Sequence, residues 1–239
     1  VVMVSHYGSR EDETDISLTE EFLKVIYPVQ EGYYVVPLDS ERICIVCPVT
    51  EENTFDALLE TSNLIKDTAL SELMMSVTVS VGVVVGSLRN IDSAYKTAER
   101  ADAIGRIFEF EEKCFVYDRL GLARLVYGLP RETCMAFLKE TFGAQFMEEK
   151  AWHLKSNGIS DEIRKTIQTF LNTNQNISET SRVLYIHRNT LVYRLDKFNK
   201  MTGLDCTKFE DGMKVGMALL VLQYLSKLPG RQSGTQQNL

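Results

Sequence analysis

The chain has no surplus of positive charge: 26 Lys and Arg stand against 33 Asp and Glu over 239 residues, a formal net charge of −7. That argues against a protein that coats nucleic acid over its whole surface, which needs cations wherever phosphates approach. Long apolar runs are also missing. The longest, residues 77–86 and 216–225, stop well short of the ~20 residues that span a bilayer. No membrane or secretion segment is read. Cysteine is sparse and unpatterned. Cys44, Cys47, Cys114, Cys134 and Cys206 are odd in number and scattered, which fits buried thiols in a reducing cytoplasm better than a disulfide framework. Only Cys44 and Cys47 have ligand-like spacing, and residues 43–47 read as a strand, on which positions three apart face opposite sides. Neither a second Cys pair nor a His pair completes a zinc site. No metal and no cofactor are expected.

What is present suits two domains. A length of 239 residues is long for one, and 44% hydrophobic residues can bury a sizeable core. The charge is uneven. Residues 161–203 hold seven Lys/Arg against four Asp/Glu, a net of +3, which leaves −10 for the remainder. An acidic body with one basic stretch confines any approach to phosphates to that stretch. The chain starts at Val1 rather than Met, which fits a fragment that a sensory domain could precede.

Taken in order, residues 1–5 read as a short buried strand and 10–15 as an acidic loop. Residues 17–27 read as a helix with Leu18, Phe22 and Ile26 on one side. Residues 33–38 and 42–47 are β-rich runs around Asp39-Ser40-Glu41, a hairpin signal. A helix over 53–70 follows, then a Val-rich strand over 77–85 in which Gly82 and Gly86 are expected to allow close approach. A helix over 91–108 and a strand over 113–117 complete an α+β sandwich with helices on at least one face. Residues 118–127 and 131–142 read as connecting helices, and 155–158 as a linker. Residues 162–172 read as a support helix. The last helix, 209–226, is apolar on more than one side and is expected to help subunits associate. The division predicted is 1–118, an α/β domain; 119–158, a helical connector; 159–227, a DNA-binding domain; and 228–239, a disordered tail.

The whole is organised around residues 176–198, which read as two short helices joined by a turn at 185–187. Ser178 is the expected N-cap of the first helix, with Glu179 placed where the helix dipole favours negative charge. The second, 188–200, repeats apolar residues at Leu191, Leu195 and Phe198, a single buried stripe. Its other face carries Asn189, Thr190, Tyr193 and Lys197, flanked by Arg188 and Arg194. Cations for phosphates, with an amide and a guanidinium for base edges, make the composition of a helix that enters a DNA groove. Composition by itself favours a solvated face on an ordinary three-helix domain. The motif reverses that balance.

Ser178-Glu179-Thr180-Ser181 and His187-Arg188-Asn189-Thr190-Leu191-Val192-Tyr193-Arg194-Leu195, with Thr202-Gly203-Leu204 beyond, resemble the C-terminal helix-turn-helix of the PucR/CdaR-type regulators of purine catabolism and sugar-diacid use. Val192 stands where that family usually has a basic residue, so one phosphate or base contact is expected to be missing. A second resemblance lies upstream. Val77-Thr-Val-Ser-Val-Gly82, followed by Ala94 and by Ala98-Glu-Arg-Ala-Asp102, is similar to the final strand and helix of a GGDEF (diguanylate cyclase-like) domain spanning roughly 1–118. The hairpin of an active cyclase carries Gly-Gly-Asp/Glu-Glu-Phe. Here it is Leu38-Asp-Ser-Glu-Arg-Ile43, without either glycine, and residues 1–5 carry no acid to share a metal ion. The resemblance therefore implies a degenerate GGDEF-like α/β sandwich, catalytically dead, followed by an all-α helix-turn-helix domain, and no enzyme. It further implies a cytoplasmic regulator of a catabolic operon that binds double-stranded operator DNA as a homodimer or tetramer. His187, Arg188 and Asn189 would lie nearest the base edges, and Thr190, Tyr193, Arg194 and Lys197 would hold phosphates. A small-molecule effector is expected, on a preceding sensory domain if not on this chain. The alternative is a nucleotide- or metabolite-sensing module that uses the GGDEF-like domain to bind ligand or to dimerise.

Overall fold

The structure is a computed structural model that describes residues 1–6, 34–39, 41–49, 54–108, 113–143 and 159–227. The expected helix at 17–27, the linker at 155–158 and the tail at 228–239 lie outside the described residues. The chain divides into two compact units, Val1–Arg124 and Leu125–Leu239.

The first unit is built on five strands: β1 (Val2–His6), β2 (Tyr34–Pro37), β3 (Arg42–Val46), β4 (Val77–Val81) and β5 (Cys114–Val116), in the order β2-β3-β1-β4-β5. The β1 strand is central and antiparallel to both neighbours, whereas β4 and β5 run parallel. The expected hairpin pairs β2 with β3, from Tyr34 opposite Val46 to Pro37 opposite Ile43. Its turn is held by the Leu38 amide donating to the Arg42 carbonyl at 2.9 Å and by Arg42 Nε on Asp39 Oδ2 at 2.7 Å.

Among the described residues two helices cover the sheet, α1 (Thr54–Leu73) and α2 (Ile91–Phe108). Side chains alternate across a strand, so Ile43, Ile45, Val77, Val79 and Val81 meet Leu58, Ile65 and Ala69 of α1 in one core. Cys44 points the other way, into a smaller cluster with Val1 and with Ala94 of α2. Cys47 packs on the α1 side, so the two thiols are divided between the faces as their spacing predicts. Among the described residues no group of three or more His, Cys, Asp or Glu could hold a metal ion. A Cβ on Gly82 would fall 1.9 Å from the Ala94 carbonyl oxygen, and one on Gly105 would fall 2.1 Å from the Phe115 ring. Both glycines let α2 lie close on the sheet. Gly86 has nothing within 4 Å of its would-be Cβ, and β4 ends at Val81 rather than at 85. Its expected close approach does not occur, because the chain has already left the sheet.

Helix α3 (Gly121–Tyr127) leads into the second unit, which holds α4 (Arg131–Phe142), α5 (Asp161–Asn172), α6 (Ile177–Val183), α7 (Arg188–Thr202) and α8 (Phe209–Lys227). The α8 helix is its spine, burying Val215, Ala218, Leu219, Val221, Tyr224 and Leu225. It packs against α4 and also against α5, whose Leu171 lies near the would-be Cβ of Gly212 and of Gly216. Part of the wide apolar surface expected to serve subunit association is covered within the chain by these two helices. The aromatic and thioether side chains of Phe209 and Met213, near the start of α8, remain exposed.

Candidate nucleic-acid interface

Helix α5 supports the site. Ser160 caps it, its hydroxyl accepting the Ile163 amide at 3.4 Å, and Ile163, Ile167 and Phe170 are buried along one side. The turn into α6 passes through Asn174 and Gln175 at φ +53° and +60°, the left-handed region that asparagine tolerates better than most residues. Gln175 Nε2 then donates to the Cys206 carbonyl at 2.7 Å, tying this turn to the segment that precedes α8.

The expected Ser178 cap of α6 is corrected by the structure. Asn176 is the N-cap, with Oδ1 accepting the Glu179 amide at 3.0 Å. Ser178 lies inside the first turn. The two side chains cap about equally well, so the backbone decides: Asn176 is the residue still in extended geometry, at φ −88° and ψ 108°. Thr180, from the same motif, is fully buried. Its hydroxyl lies 2.6 Å from the Asn176 carbonyl and 2.6 Å from the Thr173 hydroxyl.

The turn into α7 uses Tyr185 at φ +53°. His187 is the N-cap of α7: Nδ1 accepts the Asn189 amide at 3.2 Å. Leu191, Leu195 and Phe198 are buried, as their spacing predicts, and Phe142 meets Phe198 edge-on with ring centroids 6.5 Å apart. Gly203 ends the helix at φ +75°, its amide donating to the Asn199 carbonyl at 2.7 Å. A left-handed residue here is the usual way of satisfying the last carbonyls.

The structure leaves His187, Arg188, Asn189, Thr190, Tyr193 and Lys197 exposed. Neither Arg188 nor Lys197 is in an ion pair with any described residue. Val192, where one contact is expected to be missing, is 36% exposed. Arg194 is arranged differently. Its Nη1 donates to Thr166 Oγ1 and its Nη2 to Glu162 Oε2, both at 3.1 Å, and both partners are on α5. Reading the sequence did not find this link, because 28 and 32 residues separate the partners and no local pattern joins them. It also missed the pairing of Arg182 with Glu179, at 2.6 Å and 3.2 Å. That guanidinium holds the Glu179 carboxyl below the ordinary carboxylate value. An i, i+3 spacing signals such a pair directly.

Two helices joined by a turn, the second with an open polar face and the first braced behind it, form a helix-turn-helix. Residues 163–221 match the model of the PucR C-terminal helix-turn-helix domain. The chain is similar to the carbohydrate diacid regulator of Escherichia coli (strain K12), 29% identical over 141 residues, covering 59% of this chain and 34% of that protein. It is also similar to the purine catabolism regulatory protein of Bacillus subtilis (strain 168), 29% identical over 151 residues, covering 62% of this chain and 27% of that protein. The likeness to the proline-responsive transcriptional activator PutR of Bacillus subtilis (strain 168) is fainter but longer, 18% over 230 residues, covering 93% of this chain and 53% of that protein. The chain thus spans well under two thirds of the length of each. Among the described residues no helix is long and apolar enough to cross a membrane. With the helix-turn-helix in place and these likenesses beside it, residues 163–221 form a helix-turn-helix domain of the PucR C-terminal type.

Proposed function

We propose that this chain binds operator DNA of a catabolic operon by laying α7 in the major groove, and that it does so as a homo-oligomer. The observation that carries the reading is the open face of α7, where Arg188 and Lys197 have no ion-pair partner among the described residues and Asn189, Thr190 and Tyr193 are exposed beside them. A cation held by a carboxylate contributes little to phosphate binding, whereas a free one releases counterions on contact. His187, Arg188 and Asn189 open the helix and would reach base edges first. Thr190, Tyr193 and Lys197 follow and would hold the backbone. One helix-turn-helix reads a half-site of a few base pairs, so two copies on half-sites about one helical turn apart supply the remaining affinity.

In this reading the first unit is a degenerate GGDEF-like domain that joins copies rather than performing chemistry. Asp39, a turn carboxylate that a cyclase would need free, accepts from both Arg42 Nε and the Glu41 amide. A second reading, sensing by this unit, draws on one feature. A cavity of about 240 Å³ lies among Val46, Cys47, Val49, Val84, Val85 and Ile91. Among the described residues its lining carries no charged side chain, so it suits a small apolar group better than the phosphates of a nucleotide. Calorimetry with guanine nucleotides is therefore expected to show no heat.

The decisive experiment is selection of bound duplexes from a random pool, followed by titration at several salt concentrations. A recurrent motif with two half-sites, bound more weakly as salt rises, is expected. A pool that yields no motif would overturn the proposal.

A further inference from the structure

We propose that Arg194 is a positioning residue, which sets the rotation of the reading helix by clamping α7 to α5, and does not itself hold a phosphate. This rests on the DNA-binding reading above and assigns the residue a different part from its neighbours on the motif. The side chain is only 20% exposed, and both terminal nitrogens are engaged. Thr166 is fully buried. Its hydroxyl donates to the Glu162 carbonyl at 2.7 Å while accepting from Arg194. Glu162 and Thr166 are one helical turn apart, so the guanidinium fork spans a turn of α5 and grips it at two points. Glu162 also occupies the first turn of α5, where its negative charge is favoured by the helix dipole. The carboxylate therefore competes with any phosphate for the same guanidinium.

A clamp is needed because apolar contacts are non-directional. The stripe of Leu191, Leu195 and Phe198 sets how deeply α7 sits but only loosely how far it is rotated about its own axis. A helix with its side chains has a radius of about 5–6 Å, so a rotation of about 20° would move the reading tips by roughly 2 Å. Hydrogen bonds to base edges tolerate only tenths of an ångström. A planar fork held by one buried acceptor, Thr166, and one exposed carboxylate, Glu162, resists that rotation, and lysine, a single flexible point charge, cannot replace it.

The test compares the 239-residue wild-type chain with R194K, R194Q and T166V. Binding is titrated on the selected operator and on a random duplex across a range of salt concentrations, with thermal melts run alongside. On the operator, R194K and R194Q should each bind about tenfold more weakly, in line with losing hydrogen bonds to a charged group. On the random duplex both should stay within about twofold of wild type, with an unchanged salt slope. T166V should fall in the same direction by a smaller factor. Operator binding by R194K that matches wild type, with R194Q flattening the salt slope by about one on both duplexes, would mark Arg194 as a phosphate ligand and overturn the clamp. Unchanged operator binding by R194Q would overturn it too. Should R194Q melt below the assay temperature, R194K decides, because it keeps the charge and removes only the fork. A wild-type chain that selects no sequence would sink the DNA-binding reading itself, and that failure shows without any variant.

Discussion

Because Nδ1 of His187 accepts the Asn189 amide, the proton of the neutral ring sits on Nε2, and one side chain both caps α7 and presents a donor at its tip. His187→Ala removes both and should cost about 1 kcal/mol of stability. His187→Asn keeps an excellent cap and should leave stability within a few tenths of a kcal/mol, which urea unfolding of the two variants would show. Equal losses in both would mean that the imidazole packs rather than caps. Further along the open face the proposed roles divide. Arg188→Ala should cost about 1–3 kcal/mol on the operator and relax preference at one base, while Lys197→Ala should weaken every sequence alike and flatten the salt slope by about one. Equal, salt-independent losses for the pair in gel-shift titrations would refute that division. Cys206, in the segment that precedes α8, offers a check on tightness. Burial, reinforced by the carboxylates of Asp205 and Asp211, pushes its thiol up to about 12. At pH 8 the thiolate is then on the order of one part in ten thousand, and thiolate is the form that alkylates. Iodoacetamide should leave Cys206 unmodified in the folded protein and label it after unfolding, as peptide mass mapping would reveal.

At the level of elements, what the sequence discloses is what repeats locally. The stripe Leu191, Leu195, Phe198 predicts the buried side of α7 because a helix returns to the same face every three to four residues. Alternation on β3 likewise separates Cys44 from Cys47. Caps are less legible, since Asn176 and Ser178 are chemically equivalent candidates and only the backbone distinguishes them. Long-range partners are not legible at all. The reach of Arg194 to Thr166 and the covering of α8 by α4 both depend on how helices meet, which no window of a dozen residues contains. Glycines show the same limit. Gly82 and Gly86 read alike in sequence, yet only the first faces an obstacle, the Ala94 carbonyl, which as backbone cannot swing aside. Gly82→Ala should therefore destabilise the first unit by about 1–3 kcal/mol or more, and Gly86→Ala should be close to neutral. Urea midpoints would separate them, and equal shifts would mean that α2 lies farther from the sheet than the structure places it.

For the molecule as a whole, charge divides where the compact units divide. Residues 1–124 carry 11 Lys/Arg against 22 Asp/Glu, and residues 125–239 carry 15 against 11. The first unit is thus at −11 and the second at +4. An acidic body repels DNA at long range, and its repulsion is screened within about 8 Å at physiological salt. The isolated second unit should therefore bind random duplex more tightly than the full chain at low salt, with the difference closing as salt approaches 0.15 M. Where such a fragment begins matters. A cut at 159 would keep the helix-turn-helix but discard α4, whose Cys134, Leu138 and Phe142 are buried and whose contacts cover part of α8. Burying an apolar side chain of that size is worth about 1.5–3 kcal/mol, so the shorter fragment should lose several kcal/mol, a large share of a small domain's stability. A fragment of residues 125–239 should melt cooperatively and bind DNA, and one of residues 159–239 should melt at a markedly lower temperature. If circular dichroism showed equal melting for the two, α4 would be a passive connector and the boundary of the folding unit would lie beyond it.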